Sequence, residues 1–149
     1  MIRFSFDVDP SELEPPSPGF ALGDMEVMGG EGRATSRGHI PDQSMMISVA
    51  LSDLLDGLRA LAVGGSGSFH FVGTDSSFQL NFTLGKDDRI TTKDGARIID
   101  ASSATGVLEA AYRSARTFFE RCRAHLPESD PGRRDLEMSL GEARKALGR

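Results

Sequence analysis

The sequence predicts an α+β fold: an antiparallel meander sheet with one face covered by a short and a long amphipathic helix. Three observations lead there. Ser68 to Ile90, SFHFVGTDSSFQLNFTLGKDDRI, alternates apolar and polar residues on both sides of a turn over Gly73 to Ser77, the pattern of a hairpin with one dry face. Phe69, Phe71, Phe78, Leu80, Phe82 and Leu84 share that face, opposite Ser68, His70, Gln79, Asn81 and Thr83. Before the hairpin, Leu54, Leu55, Leu58, Leu61 and Ala62 fall on one helical stripe; after it, Val107, Leu108, Ala111, Ala115, Phe118, Phe119 and Cys122 form a longer one. A sheet with one dry face needs a cover, and the two helices supply it.

Taken in order, Ile2, Phe4, Phe6 and Val8 alternate with Arg3, Ser5 and Asp7 as a half-buried strand that stops at Asp9-Pro10. Residues 9–19 hold four prolines and read as a loop. Strands are expected over Phe20 to Met28, ended by Gly29-Gly30, and over Ala34 to Ile40, interrupted by Gly38. Met45, Ile47, Val49 and Leu51 alternate as another strand, with Ser52 placed to cap the following helix. Gly64-Gly65-Ser66-Gly67 ends that helix. Beyond the hairpin come a turn at Lys86-Asp87-Asp88, a strand over Arg89 to Lys93, a tight turn at Asp94-Gly95 and a strand over Ala96 to Asp100. The long helix runs from Ala104 to about His125, its wet face paired at i,i+4 by Glu109 with Arg113 and Arg116 with Glu120. Residues 1–126 are thus expected to form one domain, and 127–149 a tail in which Leu136, Leu140, Ala143 and Leu147 make a short stripe. A helix this short is marginal alone, so the stripe docks on its own domain, docks on a second copy, or does not fold at all.

The 149 residues suffice for one core without disulfide or metal staples. Carboxylates outnumber Lys and Arg 22 to 17, which argues against a nucleic-acid binder, whose affinity comes from clustered cations. The charge is uneven: residues 1–60 carry ten acidic and four basic side chains, residues 111–149 six and nine. The acidic front and basic back end either pair within the molecule or offer an acidic surface to a basic partner. Cys122 is the only cysteine, so no intrachain disulfide or multi-thiolate metal site is expected. No signal-peptide core and no membrane-length apolar run stands in the sequence, and the cytoplasm is the expected compartment.

Each candidate for chemistry competes with a structural role. His70 with Asp75 across the turn offers a general-base pair, yet no nucleophile accompanies it, and Ser76 and Ser77 sit among turn residues. His39 and Asp42 flank Pro41 with less support; His125 suits the negative end of the long helix. Asp87, Asp88 and Asp94 lack the ligand ladder of a calcium loop. Gly64, Gly65 and Gly67 leave a helix, whereas a phosphate loop opens one. The C-terminal arginines, Glu120 among them, read as a solvated face. Cys122 on the apolar stripe reads as an inert core thiol. No metal or cofactor is expected.

The order from Gln43 to Cys122 runs from a strand into a Leu-rich helix (MMISVALSDLLDGLRALA), an aromatic hairpin (FHFVGTDSSFQLNFTL), a further strand and a long closing helix (GVLEAAYRSARTFFERC). This layout resembles small bacterial toxin-immunity proteins of the wall-associated-protein (WapI) type. It departs from them at Gly73 to Ser77, where an acidic-proline turn would stand, and in the 10–18 segment and the tail. The resemblance implies a cytoplasmic protein that binds and blocks a toxin domain, and it transfers no individual residue. The expected function is therefore non-catalytic protein binding, with Glu12, Glu14, Asp24, Glu26 and Asp42 facing a basic toxin domain. A hydrolase-like enzyme using His70 and Asp75 is the first alternative. The second is a self-assembling structural protein, a homodimer joined through Leu136, Leu140 and Leu147.

Overall fold

In the computed structural model, which describes residues 1–13 and 18–149, β1 (Arg3–Val8) pairs antiparallel with β2 (Leu22–Met28), placing Phe4 opposite Val27 and Asp7 opposite Asp24. The other edge of β2 is shared by two short strands, β3 (Arg33–Thr35) and β4 (Met45–Met46). A second four-stranded sheet follows as a meander of β5 (Gly67–Val72), β6 (Gln79–Leu84), β7 (Arg89–Asp94) and β8 (Arg97–Ser103). The α+β class with antiparallel pairing thus stands, but as two sheets where one meander was expected.

The helix between the sheets explains the division. α1 (Ile47–Gly64) begins where a strand over Met45 to Leu51 was expected. Ile47, Ala50, Leu51, Leu54, Leu55 and Leu58 are all buried, because α1 packs on β5, β1, β2 and both later helices. A helix buried on most sides reads as a near-continuous apolar run, and the period-2 match of Met45, Ile47, Val49 and Leu51 was incidental to it. Ser52 lies inside the helix, its hydroxyl 3.4 Å from the Ser48 carbonyl, and caps nothing. The helix start is served by the tertiary fold: Ile47 N–H donates to Ala21 O (3.2 Å) and Met46 N–H to Thr74 O (3.0 Å).

β3 stops at Thr35 because Ser36 turns inward. Fully buried, its hydroxyl accepts the Met25 N–H (3.0 Å) and donates to Asp24 Oδ1 (2.7 Å). The β5–β6 connection is closed by Gly73 N–H to Phe78 O (2.8 Å), with Asp75 at φ 59, a conformation Asp tolerates. Gly95 at φ 61 makes the β7–β8 turn. The two sheets meet where the β2–β3 turn abuts β8: Glu31 N–H donates to Ile99 O (2.9 Å) and Gly30 N–H to the buried Asp100 carboxylate (3.1 Å).

α2 (Ala104–Cys122) starts on the Ser103 hydroxyl, which accepts the Gly106 N–H at 3.1 Å, and tightens into a 3₁₀ turn at Arg123–His125. It buries the expected face, Val107, Leu108, Ala111, Ala115, Phe118, Phe119 and Cys122. α3 (Pro131–Ala146) is capped by Asp130 and opened by a proline at its first position. Leu136, Leu140 and Ala143 are buried and Leu147 partly so, all in one cluster with α1 and α2. Arg133 fastens α3 to the end of α2: its guanidinium donates to Leu126 O (2.6 Å), pairs with Glu137 (2.7 Å) and lies 5.9 Å over the Phe119 ring. The apolar stripe of the tail is spent within the chain.

Candidate functional site

The wet face of the first sheet supplies one wall of an acidic cleft. Asp7 and Asp24 are cross-strand partners there, so their carboxylates stand side by side, a placement that repels unless a cation intervenes. Arg37 intervenes, 2.9 Å from Asp7 Oδ2 and 3.9 Å from Asp24 Oδ2. The far wall comes from two Asp-x-Ser turns. Asp9 accepts the Ser11 N–H (3.0 Å) and hydroxyl (2.9 Å); Asp42 accepts the Ser44 N–H (2.9 Å) and hydroxyl (3.0 Å). With Glu12, these groups line a cleft of about 640 Å³ in which Arg37 is the one cation among the described residues.

The electrostatics follow from those bonds. The backbone N–H of Ser11, and then its hydroxyl, hold Asp9 below the ordinary carboxylate range; Ser44 does the same for Asp42. In both turns the hydrogen bonds favour the ionised carboxylate. Among the described residues no cluster of His, Cys, Asp and Glu is placed to hold a metal ion. The carboxylates ring the cleft instead of converging, which suits several separate cations on one ligand.

Of the predicted site residues, Glu12, Asp24 and Asp42 come together here. Glu26 stands two residues along β2 from Asp24, outside the cleft, paired with Arg33 at 3.6 Å. Glu14 lies outside the described residues. Asp7, Asp9 and Arg37 were missed; the Asp-x-Ser spacing at 9–11 and 42–44 signals a carboxylate bonded to its own turn, but the chain repeats it at 75–77 and 100–102, so it does not mark the cleft. Leu136, Leu140 and Leu147 face α1 and α2.

The alternative pair does not form as drawn. His70 Nε2 bonds Gln79 Oε1 at 2.7 Å, diagonally across the β5–β6 pair, and Asp75 occupies the turn. His39 Nε2 bonds Thr35 O at 2.8 Å. Cys122 is buried, and burial pushes its thiol pKa up, away from reactivity. No helix among the described residues is long and apolar enough to cross a membrane. Neither the protein-family models, the curated proteins nor the solved structures contain a match to this chain.

Proposed function

We propose that this protein is a non-catalytic binding domain that neutralises a toxin by taking a basic surface of it into the acidic cleft. The observation that carries the reading is the concentration of Asp7, Asp9, Glu12, Asp24 and Asp42 around one cleft with a single arginine. In two of these carboxylates the charged form is favoured by hydrogen bonds from serine turns. A cleft of this kind speeds encounter with a basic partner and makes association salt-sensitive. The layout resemblance to immunity proteins supplies the toxin, and the cytoplasm the expected place of action.

The test is co-expression with the product of the neighbouring reading frame, followed by titration of the purified pair. The expected outcome is a complex that weakens steeply as salt is raised and is lost when Glu12→Lys and Asp42→Lys are combined. Both side chains are exposed, so the variant keeps its core. A neighbouring product that is harmless and unbound overturns the toxin assignment; a complex indifferent to the double variant overturns the cleft.

A further inference from the structure

Three of the four outer edges of the two sheets have their carbonyls taken. Along β1, Ser114 Oγ donates to Phe4 O (2.7 Å) and the Arg121 guanidinium to Phe6 O (3.0 Å). Along β3, Arg97 donates to Arg33 O (2.9 Å) and His39 lies 2.8 Å from Thr35 O. On β8, Ile99 O accepts the Glu31 N–H and Ala101 O the Arg89 guanidinium (2.6 Å), and the register slips between Thr92 and Lys93. Side-chain caps, short strands and bulges are the devices that keep an edge from pairing.

β5 has none of them. Gly73 N–H bonds Phe78 O, and the same register pairs Phe71 with Leu80, Phe69 with Phe82 and Gly67 with Leu84. By the two-residue alternation of an antiparallel ladder, those residues bond β6, and the N–H and C=O groups of Ser68, His70 and Val72 point outward. Among the described residues nothing bonds them. The strand GSFHFV contains no proline, no charged residue and no bulge. Beside it lies a groove of about 360 Å³ lined by Phe69 to Val72 and, from α1, Asp53, Asp56 and Gly57. Four consecutive strand residues line it, so it borders the backbone edge as well as one side-chain face. Among the described residues no ion pair reaches Asp53 or Asp56. Asp53 has only the Thr74 hydroxyl, at 3.4 Å; burial, with repulsion from Asp56 and Asp135, raises its pKa.

We infer that the β5 edge and this groove form a docking site for an extended, basic segment of a protein partner. The segment adds a fifth strand to the second sheet and sets a Lys or Arg against Asp53 and Asp56. A second copy of this chain is the wrong occupant: its β5 carries no cation, and two-fold pairing would bring two uncompensated Asp pairs to one seam. The inference rests on the protein-binding reading and names a second surface for it. The two surfaces are joined by one segment: Asp42 and Ser44 line the cleft, while the Gln43 carbonyl accepts the Ser76 hydroxyl (2.7 Å) in the β5–β6 loop.

The probe is a hexapeptide of alternating valine and arginine, compared with its valine–glutamate counterpart and with a version N-methylated at alternate residues. Binding is read by anisotropy, and amide exchange by NMR. The expected result is protection of the Ser68, His70 and Val72 amides by the arginine peptide alone. Asp53→Asn with Asp56→Asn weakens binding about tenfold, a charged hydrogen bond being worth at least that. His70→Pro removes one outward N–H without touching the β6 ladder and abolishes binding. His70→Ala, which loses the Gln79 bond but keeps that N–H, binds as the parent does. Peptide that protects the cleft instead, and is lost on Glu12→Lys and Asp42→Lys, overturns the edge and leaves the protein-binding reading standing. A free protein that is already dimeric with those amides protected overturns the choice of occupant. No binding of the arginine peptide anywhere overturns the edge alone, because the cleft reading stands or falls with the co-expressed partner and the Glu12→Lys, Asp42→Lys variant.

Discussion

β1 and β5 begin their respective sheets, have six residues each, and carry the same motif: Phe4-Ser5-Phe6 in one, Phe69-His70-Phe71 in the other. They end in opposite states. α2 lies along β1 and offers it donors, Ser114 and Arg121, which take the outward carbonyls. α1 lies along β5 and offers it Asp53, Asp56 and Gly57: two acceptors and a gap. The gap is filled from the sheet side. A Cβ on Gly57 would come 2.1 Å from the Phe69 ring, so the glycine is what lets Phe69 stack against Phe82 at 5.9 Å. Two strands of equal pattern differ because their covering helices differ, and an edge's openness is a property of its neighbour.

Three variants break or sharpen that contrast. The largest effect is expected at Phe118, fully buried on α2 one turn before Arg121, whose guanidinium lies 6.0 Å over its ring. Phe118→Ala should cost about 3–5 kcal/mol as a large-to-small core change, measured by urea unfolding; an unchanged midpoint would mean α2 is not the element that holds β1. Next, Ser114→Ala combined with Arg121→Ala should cost about 2–4 kcal/mol, from one neutral and one charged hydrogen bond. It should also make the protein associate with rising concentration, because β1 then resembles an uncapped edge. Light scattering that stays flat while stability falls would separate the energetic role of the caps from edge protection.

The smallest effect concerns Asp53. Its folded-state pKa is raised above 3.8, first by burial. The charged form is therefore disfavoured in the fold, and stability is lost as pH rises through the folded pKa. Asp53→Asn should be slightly more stable than the parent at neutral pH, and the gap should close as pH falls below 3.8. A variant that is less stable at neutral pH would show that the Thr74 bond outweighs the burial cost. Asp53 and the serine-turn aspartates shift in opposite directions: burial raises the pKa of Asp53, whereas Ser11 and Ser44 lower those of Asp9 and Asp42.

The pattern along single elements was legible. The hairpin faces, the buried stripe of α2 and the apolar stripe of α3 are each dictated by a period of two or 3.6 residues, which the chain carries locally. Met45 to Leu51 failed by the same logic: an element buried on several sides loses its period, and only the neighbours of α1 reveal that it is a helix. Of the acidic cleft, Glu12, Asp24 and Asp42 were visible through charge density alone, while Asp7 needed the β1–β2 register and Arg37 the turn that follows β3 to enter it.

What the sequence determined by itself is the α+β class, the antiparallel pairing and which side of β1, of the β5–β6 hairpin, of α2 and of α3 is dry, since these follow from short-range alternation and from turn chemistry. Tertiary structure alone decided that the strands divide into two sheets, that the tail closes on α1, and which edges are capped. Those outcomes depend on contacts such as Ser114 with Phe4 and Arg121 with Phe6, separated by more than a hundred residues. A donor on a helix has no periodic signature for the strand carbonyl it will meet, and the free energy of that meeting exists only once both elements are packed.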